Sequence, residues 1–206
     1  MRSVLTALTA ALVLLVLAGC APQRIGEAAP PVHPNLIAVR EFAYSPGIVT
    51  LDPSFGFSLY RGAPGVPPRR RAETVGRAAA FSLADAITER LKSLGYDAVH
   101  FGADTPPPRG RALIVSGNFE HIYEGHRRSN ASVRVAAEVS YKAPGAAPRR
   151  IAAFGLDSRR LPREPYMPAA GRHGTDVNYQ ATRLGAAIGR YVADLARLNR
   201  WPGAPR

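Results

Sequence analysis

The stretch ETVGRAAAFSLADAITERLKSLGYDAVHF (Glu73–Phe101) decides the fold. Val75, Ala79, Leu83, Ala86, Ile87, Leu91 and Leu94 recur at steps of three and four, which puts them on one face of a helix over Glu73–Leu94. Gly95 follows the last periodic residue and supplies a C-terminal cap that needs a left-handed backbone. YDAVHF (Tyr96–Phe101) then reads as a strand. Upstream, LIAVREF (Leu36–Phe42) is a short apolar run between Pro34 and turn residues, again a strand. Two strands joined through one helix are expected to be parallel neighbours in a sheet.

Downstream the pattern changes from helical to alternating. Ala112–Tyr123 and Ala131–Tyr141 read as strands, and in the second Val133, Val135, Ala137, Val139 and Tyr141 share one face opposite Arg134, Glu138 and Ser140. Such alternation belongs to a strand covered on one side only. Arg150–Asp157 is a third strand, and the short links between the three predict an antiparallel meander. A last helix, capped by Thr175 or Asp176 and reaching about Asn199, carries Val177, Ala181, Leu184, Ile188, Tyr191, Leu195 and Leu198 as its stripe. Gly185 and Gly189 lie near that stripe and would allow close approach of a neighbour. The expected fold is therefore an α/β (α+β) two-layer sandwich, a mixed sheet of about five strands with two long helices on one face.

Between these elements lie loops rich in Gly, Pro and Ser. Ala43–Ala72 contains one short strand candidate at Ile48–Leu51, the aromatics Phe55, Phe57 and Tyr60, and the run Arg69-Arg70-Arg71. Glu124–Asn130 is a basic hairpin tip with Arg127-Arg128, and Leu161–Gly174 is another irregular connection. Long loops inside a compact domain commonly carry function.

The N-terminus is of a different kind. Arg2 is followed by an apolar run, Val4–Leu17, that ends in Leu17-Ala18-Gly19-Cys20 and holds the chain's single cysteine. This is the layout of an export signal, and the run is shorter than the ~20 residues a membrane span needs. The stretch resembles the lipobox of bacterial lipoproteins. That resemblance implies cleavage between Gly19 and Cys20, with diacylglycerol and an N-acyl chain carried on Cys20. Two or more chains hold a protein stably on a bilayer where one is marginal. Residues 1–19 are then signal peptide, and 20–35 a lipidated cysteine followed by a Pro/Ala-rich tether. Residues 36–201 form one globular domain and 202–206 a short tail. If extended like polyproline, the tether reaches roughly 40 Å at about 3.1 Å per residue. Ala21, where an inner-membrane retention signal would have Asp, favours the periplasmic face of the outer membrane over the inner membrane or the cell surface.

Removing 19 of 206 residues leaves 187, enough for one domain with a sizeable core. Hydrophobic residues make up 46% and charged residues 20%, which rules out a chain that is disordered throughout. The formal charge of +12 invites a nucleic-acid reading, but an exported, lipid-anchored chain does not meet the genome. Only Lys92 and Lys142 are lysine, so the charge is almost wholly arginine. An acidic envelope protein or an anionic envelope polymer is the expected partner, beside the membrane itself.

The order LIAVREF, ADAITERLKSLGYDA, ALIVSGNFEHIYEG and VRVAAEV resembles the domain-of-unknown-function 4410 family of proteobacterial lipoproteins over residues 36–200. That family carries a glycine-rich loop between its two central strands, where this chain has His126-Arg127-Arg128-Ser129-Asn130. The architecture is also loosely similar to the amino-terminal domain of TolB. Neither resemblance implies an activity.

Enzyme signatures are lacking. There is no Gly-x-Ser-x-Gly elbow, no Walker-type Gly-Lys-Ser/Thr, and no spacing among Asp85, Asp97 and Asp104 that pairs carboxylates. His121, Glu124 and His126 are metal-ligand types, but on a strand His121 points away from the other two. His100 and His173 have no companions. No catalytic residue, metal or cofactor is expected beyond the lipid on Cys20. The arginine groups Arg69–Arg71, Arg127-Arg128, Arg149-Arg150 and Arg159-Arg160 all fall at loop or strand ends. Guanidinium groups suit bidentate contact with carboxylate or phosphate, although arginines at turns are often merely solvated. The expectation is an outer-membrane lipoprotein whose domain is a non-catalytic interaction module for envelope assembly or maintenance. Arg69, Arg70, Arg71, Arg127 and Arg128 are its expected contacts, and an envelope hydrolase or ligand-processing enzyme is the alternative.

Overall fold

The computed structural model describes residues 34, 36–52, 66–126, 129–162 and 176–199. The elements run β1 (Leu36–Arg40), β2 (Val49–Thr50), α1 (Pro68–Ser93), β3 (Ala98–Phe101), β4 (Ala112–Tyr123), β5 (Ser132–Lys142), β6 (Arg149–Asp157) and α2 (Val177–Leu198). The strands form one mixed sheet in the order β3-β1-β4-β5-β6, with β2 added beside the end of β4. That is five strands along the path, as the sequence predicts, and a sixth of two residues off it. β1 is parallel to both β3 and β4, while β4, β5 and β6 form the antiparallel meander. A bulge at Glu120 in β4 and another at Ile151 in β6 interrupt the ladders, each leaving one residue without a Cα partner.

Element boundaries fall within two residues of expectation except at the start of α1. β1 stops at Arg40, and α1 starts at Pro68, five residues before Glu73. Proline at the first helical position has no N–H to lose and its φ is already helical, so the proline pair 67–68 opens the helix inside what composition reads as loop. Arg69, Arg70 and Arg71 therefore belong to the first turn of α1 and not to a loop.

Both helices lie on one sheet face and close a single apolar layer. Phe42, Leu83, Ile87, Leu91, Leu113, Ile122, Leu184 and Ile188 are all fully enclosed there. In β5 the inward set Val133, Val135, Ala137, Val139 and Tyr141 is buried, and Arg134 on the opposite face is exposed. α1 and α2 run side by side in the same direction, with Gly185 against Leu83 and Ile87, and Gly189 against Ile87 and Arg90. A Cβ at Gly185 would stand 2.5 Å from the Leu83 carbonyl oxygen and 2.7 Å from the Ala86 Cβ, so the glycines set how closely the helices meet. On the helix-free face Arg40 donates to the carbonyls of Ala103 (2.7 Å) and Thr105 (3.2 Å), fixing the turn that follows β3.

Candidate functional site

Topology gathers the loops at one end. β1, β2, β4 and β6 all point the same way, and each helix runs back against them. The C-terminal ends of those strands and the N-termini of both helices therefore share one end of the sandwich, here called the loop end. The described residues flanking 53–65, 127–128 and 163–175 stand there: Asp52 with Val66, His126 with Ser129, and Pro162 with Asp176. Pro34 and Leu36, through which the predicted tether enters, stand at the other end. Ligand sites of open α/β sheets favour the carboxyl ends of strands.

A polar clasp joins three elements at the loop end. Arg71 in the first turn of α1 forms an ion pair with Glu124, one residue past β4, and their side chains are only 11% and 14% exposed. The same Glu124 Oε2 accepts the backbone N–H of Asp52 at 2.7 Å, and Glu124 N–H donates to the Thr50 carbonyl at 3.0 Å. Arg71 also reaches the Asp52 carbonyl at 3.4 Å. One carboxylate thus ties α1, the segment just after β2 and the base of the β4–β5 hairpin together. Arg71, expected as a partner contact, is turned inward to this pair.

The other arginines divide by position. Arg69 and Arg70 are exposed, with Arg69 close enough to Glu73 (3.4 Å) for only a weak surface pair. Arg159 and Arg160 are exposed just beyond β6, also at the loop end. Asp157 caps this turn: it accepts from the Arg159 backbone N–H at 2.9 Å, and the Arg134 and Arg159 guanidiniums reach it at 3.2 and 3.3 Å. Burial works to raise the Asp157 pKa, but those hydrogen bonds and the nearby positive charge prevail and hold it below the usual carboxylate value. Arg149 and Arg150 begin β6 and so lie at the tether end. Arg127 and Arg128 fall outside the described residues, as do Gly19, Cys20, His173, Phe55, Phe57, Tyr60 and Trp201. Of the expected groups, the structure joins the first turn of α1 to the hairpin base and places the turn after β6 at the same end.

The imidazole and carboxylate candidates do not converge. His121 stacks on Tyr123 (6.3 Å between centroids), Glu124 faces Arg71, and His126 is exposed and bridged to Ser129. Among the described residues no three metal-ligating side chains gather. His100 packs on Phe81 at 5.2 Å with Glu41 at 3.5 Å, and Asp85, Asp97 and Asp104 are exposed on separate elements.

A concavity at the edge of the sheet has little signal in the sequence. A groove of about 290 Å³ runs between β6 and α2, lined by Phe154, Gly155, Leu156, Ala187, Arg190, Tyr191 and Asp194. The Phe154 and Tyr191 rings in its lining pack on each other at 4.1 Å between centroids. The sequence signal was slight: a glycine inside the β6 pattern and one tyrosine in an aliphatic stripe.

No helix among the described residues is long and apolar enough to cross a membrane. No family model and no curated protein matches the chain. Among solved structures it is similar to a protein described as a candidate neuraminyllactose-binding hemagglutinin homolog from Helicobacter pylori. The two share 14% identity over 84% of this chain and 96% of that one, with a TM-score of 0.41.

Proposed function

We propose that this chain is a lipoprotein held by acyl chains on Cys20 at the periplasmic face of the outer membrane. Its domain is a non-catalytic interaction module that serves envelope assembly or maintenance. The observation that carries the binding role is the convergence of basic features at the loop end. Arg69, Arg70, Arg159 and Arg160 are exposed there beside the N-termini of two parallel helices, whose dipoles add positive potential. The first turn of α1 contains no acidic residue to offset it, while at α2 the Asp176 carboxylate caps the terminus by accepting from the Asn178 N–H. The tether enters at the far end, so a protein anchored through Cys20 would hold this end away from the bilayer. An acidic protein or an anionic envelope polymer fits that surface through guanidinium contacts.

The test uses the full chain in detergent, with polyglutamate and lipopolysaccharide as anionic probes over a range of salt. Replacing Arg69, Arg70, Arg159 and Arg160 together by Ser should weaken binding about tenfold or more at low salt and flatten its salt dependence. Arg71 stays in place, because it serves the clasp. Equal affinity and equal salt slope for the two proteins would sink the assignment.

A further inference from the structure

We propose that the outer edge of β6, with the groove between β6 and α2, receives an extended acidic segment of a partner protein as an added strand. β6 ends the sheet path, and among the described residues no backbone group bonds to its outer side. An exposed edge of this kind is a ready template for another strand. The bulge at Ile151 ends the regular ladder, leaving Ala152–Asp157 as the continuous stretch, roughly 20 Å long at ~3.3 Å per residue. Gly155 sits within that stretch, exposed, and a Cβ there would meet only the Val135 carbonyl oxygen at 3.8 Å. A mid-strand glycine with open space around it permits close approach of a second backbone. The groove opens beside the same residues, and its Phe154, Leu156, Ala187 and Tyr191 surfaces suit one aliphatic or aromatic side chain from the incoming strand.

Charge selects the occupant. Arg149 and Arg150 start β6, Arg159 and Arg160 follow its end, and Arg190 lines the groove between them. The acidic residues nearby, Glu138, Asp157 and Asp194, are each paired with an arginine and are outnumbered by the arginines around them. In an antiparallel pairing of two copies, the arginines that start one β6 would lie beside those that end the other. Like charges so placed oppose self-association. A partner strand with acidic residues at both ends and an apolar centre meets complementary charge along its whole length.

The probe is a fluorescein-labelled peptide, acetyl-Asp-Glu-Val-Thr-Phe-Thr-Val-Glu-Asp-amide, titrated into the full chain by anisotropy at low salt. Saturable binding is expected. It should be lost when alternate peptide nitrogens are methylated, and when the acidic residues are changed to lysine. Ala187→Trp, which fills the groove, and Arg190→Glu, on an exposed helix position, should each weaken it about tenfold. The charge reversal needs no repacking of the core, so it decides the matter if the tryptophan variant fails to fold. Arg69→Ser with Arg70→Ser should leave this binding unchanged, which separates it from the loop-end surface. The proposal is overturned by absence of saturable binding, or by undiminished binding of the methylated peptide. It is equally overturned by wild-type affinity in the Arg190→Glu protein, or by a peptide-independent dimer that Ala187→Trp disrupts.

Discussion

Replacing Glu124 by Leu tests whether the clasp holds the loop end together. The Arg71 and Glu124 side chains are 11% and 14% exposed, so solvent screens them little. Removing the carboxylate takes from Arg71 the anion it faces, a change worth about 3 kcal/mol for a buried pair. The Asp52 N–H, now bonded to Glu124 at 2.7 Å, loses its acceptor at a further cost of about 1 kcal/mol. Together these amount to about 4 kcal/mol, a large share of the ~5–15 kcal/mol that holds an ordinary domain. Arg71→Met combined with Glu124→Leu removes both charges and should cost only about 1 kcal/mol, far less than the sum of the two single replacements, each of which strands a nearly buried charge. Urea unfolding followed by circular dichroism measures all four proteins, with an unchanged m-value required for comparison. A loss below about 1 kcal/mol for Glu124→Leu, or a double replacement that costs the sum of the singles, would refute the reasoning.

Gly185→Ala gains about 1 kcal/mol of helix propensity but puts a Cβ 2.5 Å from the Leu83 carbonyl oxygen. A net loss of about 1–3 kcal/mol in urea is expected, and a gain would show that the helices do not approach as described. The depressed pKa of Asp157 makes it a stabilising group above its unfolded value of about 3.9. That contribution is lost as pH falls below about 4 towards the folded pKa, so the stability gap between the native chain and Asp157→Asn should shrink there. Tyr96 is displaced the other way, by burial first and then by Asp194, against the opposing charge of Arg197. Its hydroxyl donates to the Ala193 carbonyl at 3.2 Å, so Tyr96→Phe should cost about 1 kcal/mol near neutral pH. The raised pKa means this contribution is fully present below about 10 and is lost as pH rises through the folded value. Cys20→Ala should abolish labelling by radioactive palmitate and release the chain from the membrane fraction, and an unchanged membrane fraction would contradict the anchor.

The sequence discloses those elements whose period is long and whose caps are local. α2 is legible in its alternating steps of four and three, β5 in five inward apolar residues, and the parallel β1–α1–β3 unit in one amphipathic helix between two short runs. Contacts between distant segments are less legible. β2, within the Ile48–Leu51 candidate, is legible as a short strand, but its parallel pairing beside the end of β4 is not. Arg71 and Glu124 are 53 positions apart, and nothing local distinguishes Arg71 from its exposed neighbours Arg69 and Arg70. The groove depends on residues from 154–156 and 187–194 meeting across two layers, which composition does not encode. The placement of α1 hid behind its opening prolines, whose helix-starting role resembles loop chemistry.

The proposed binding role requires that the loop end, rather than the tether end, meet an anionic partner. Amide hydrogen exchange on the full chain with and without polyglutamate measures this directly. Slowed exchange should be confined to the described loop-end residues, Val66–Ala72 and Ser158–Leu161. Slowing confined to Ala112, Lys142 and Arg149 at the opposite end, or no slowing at saturating probe, would contradict it.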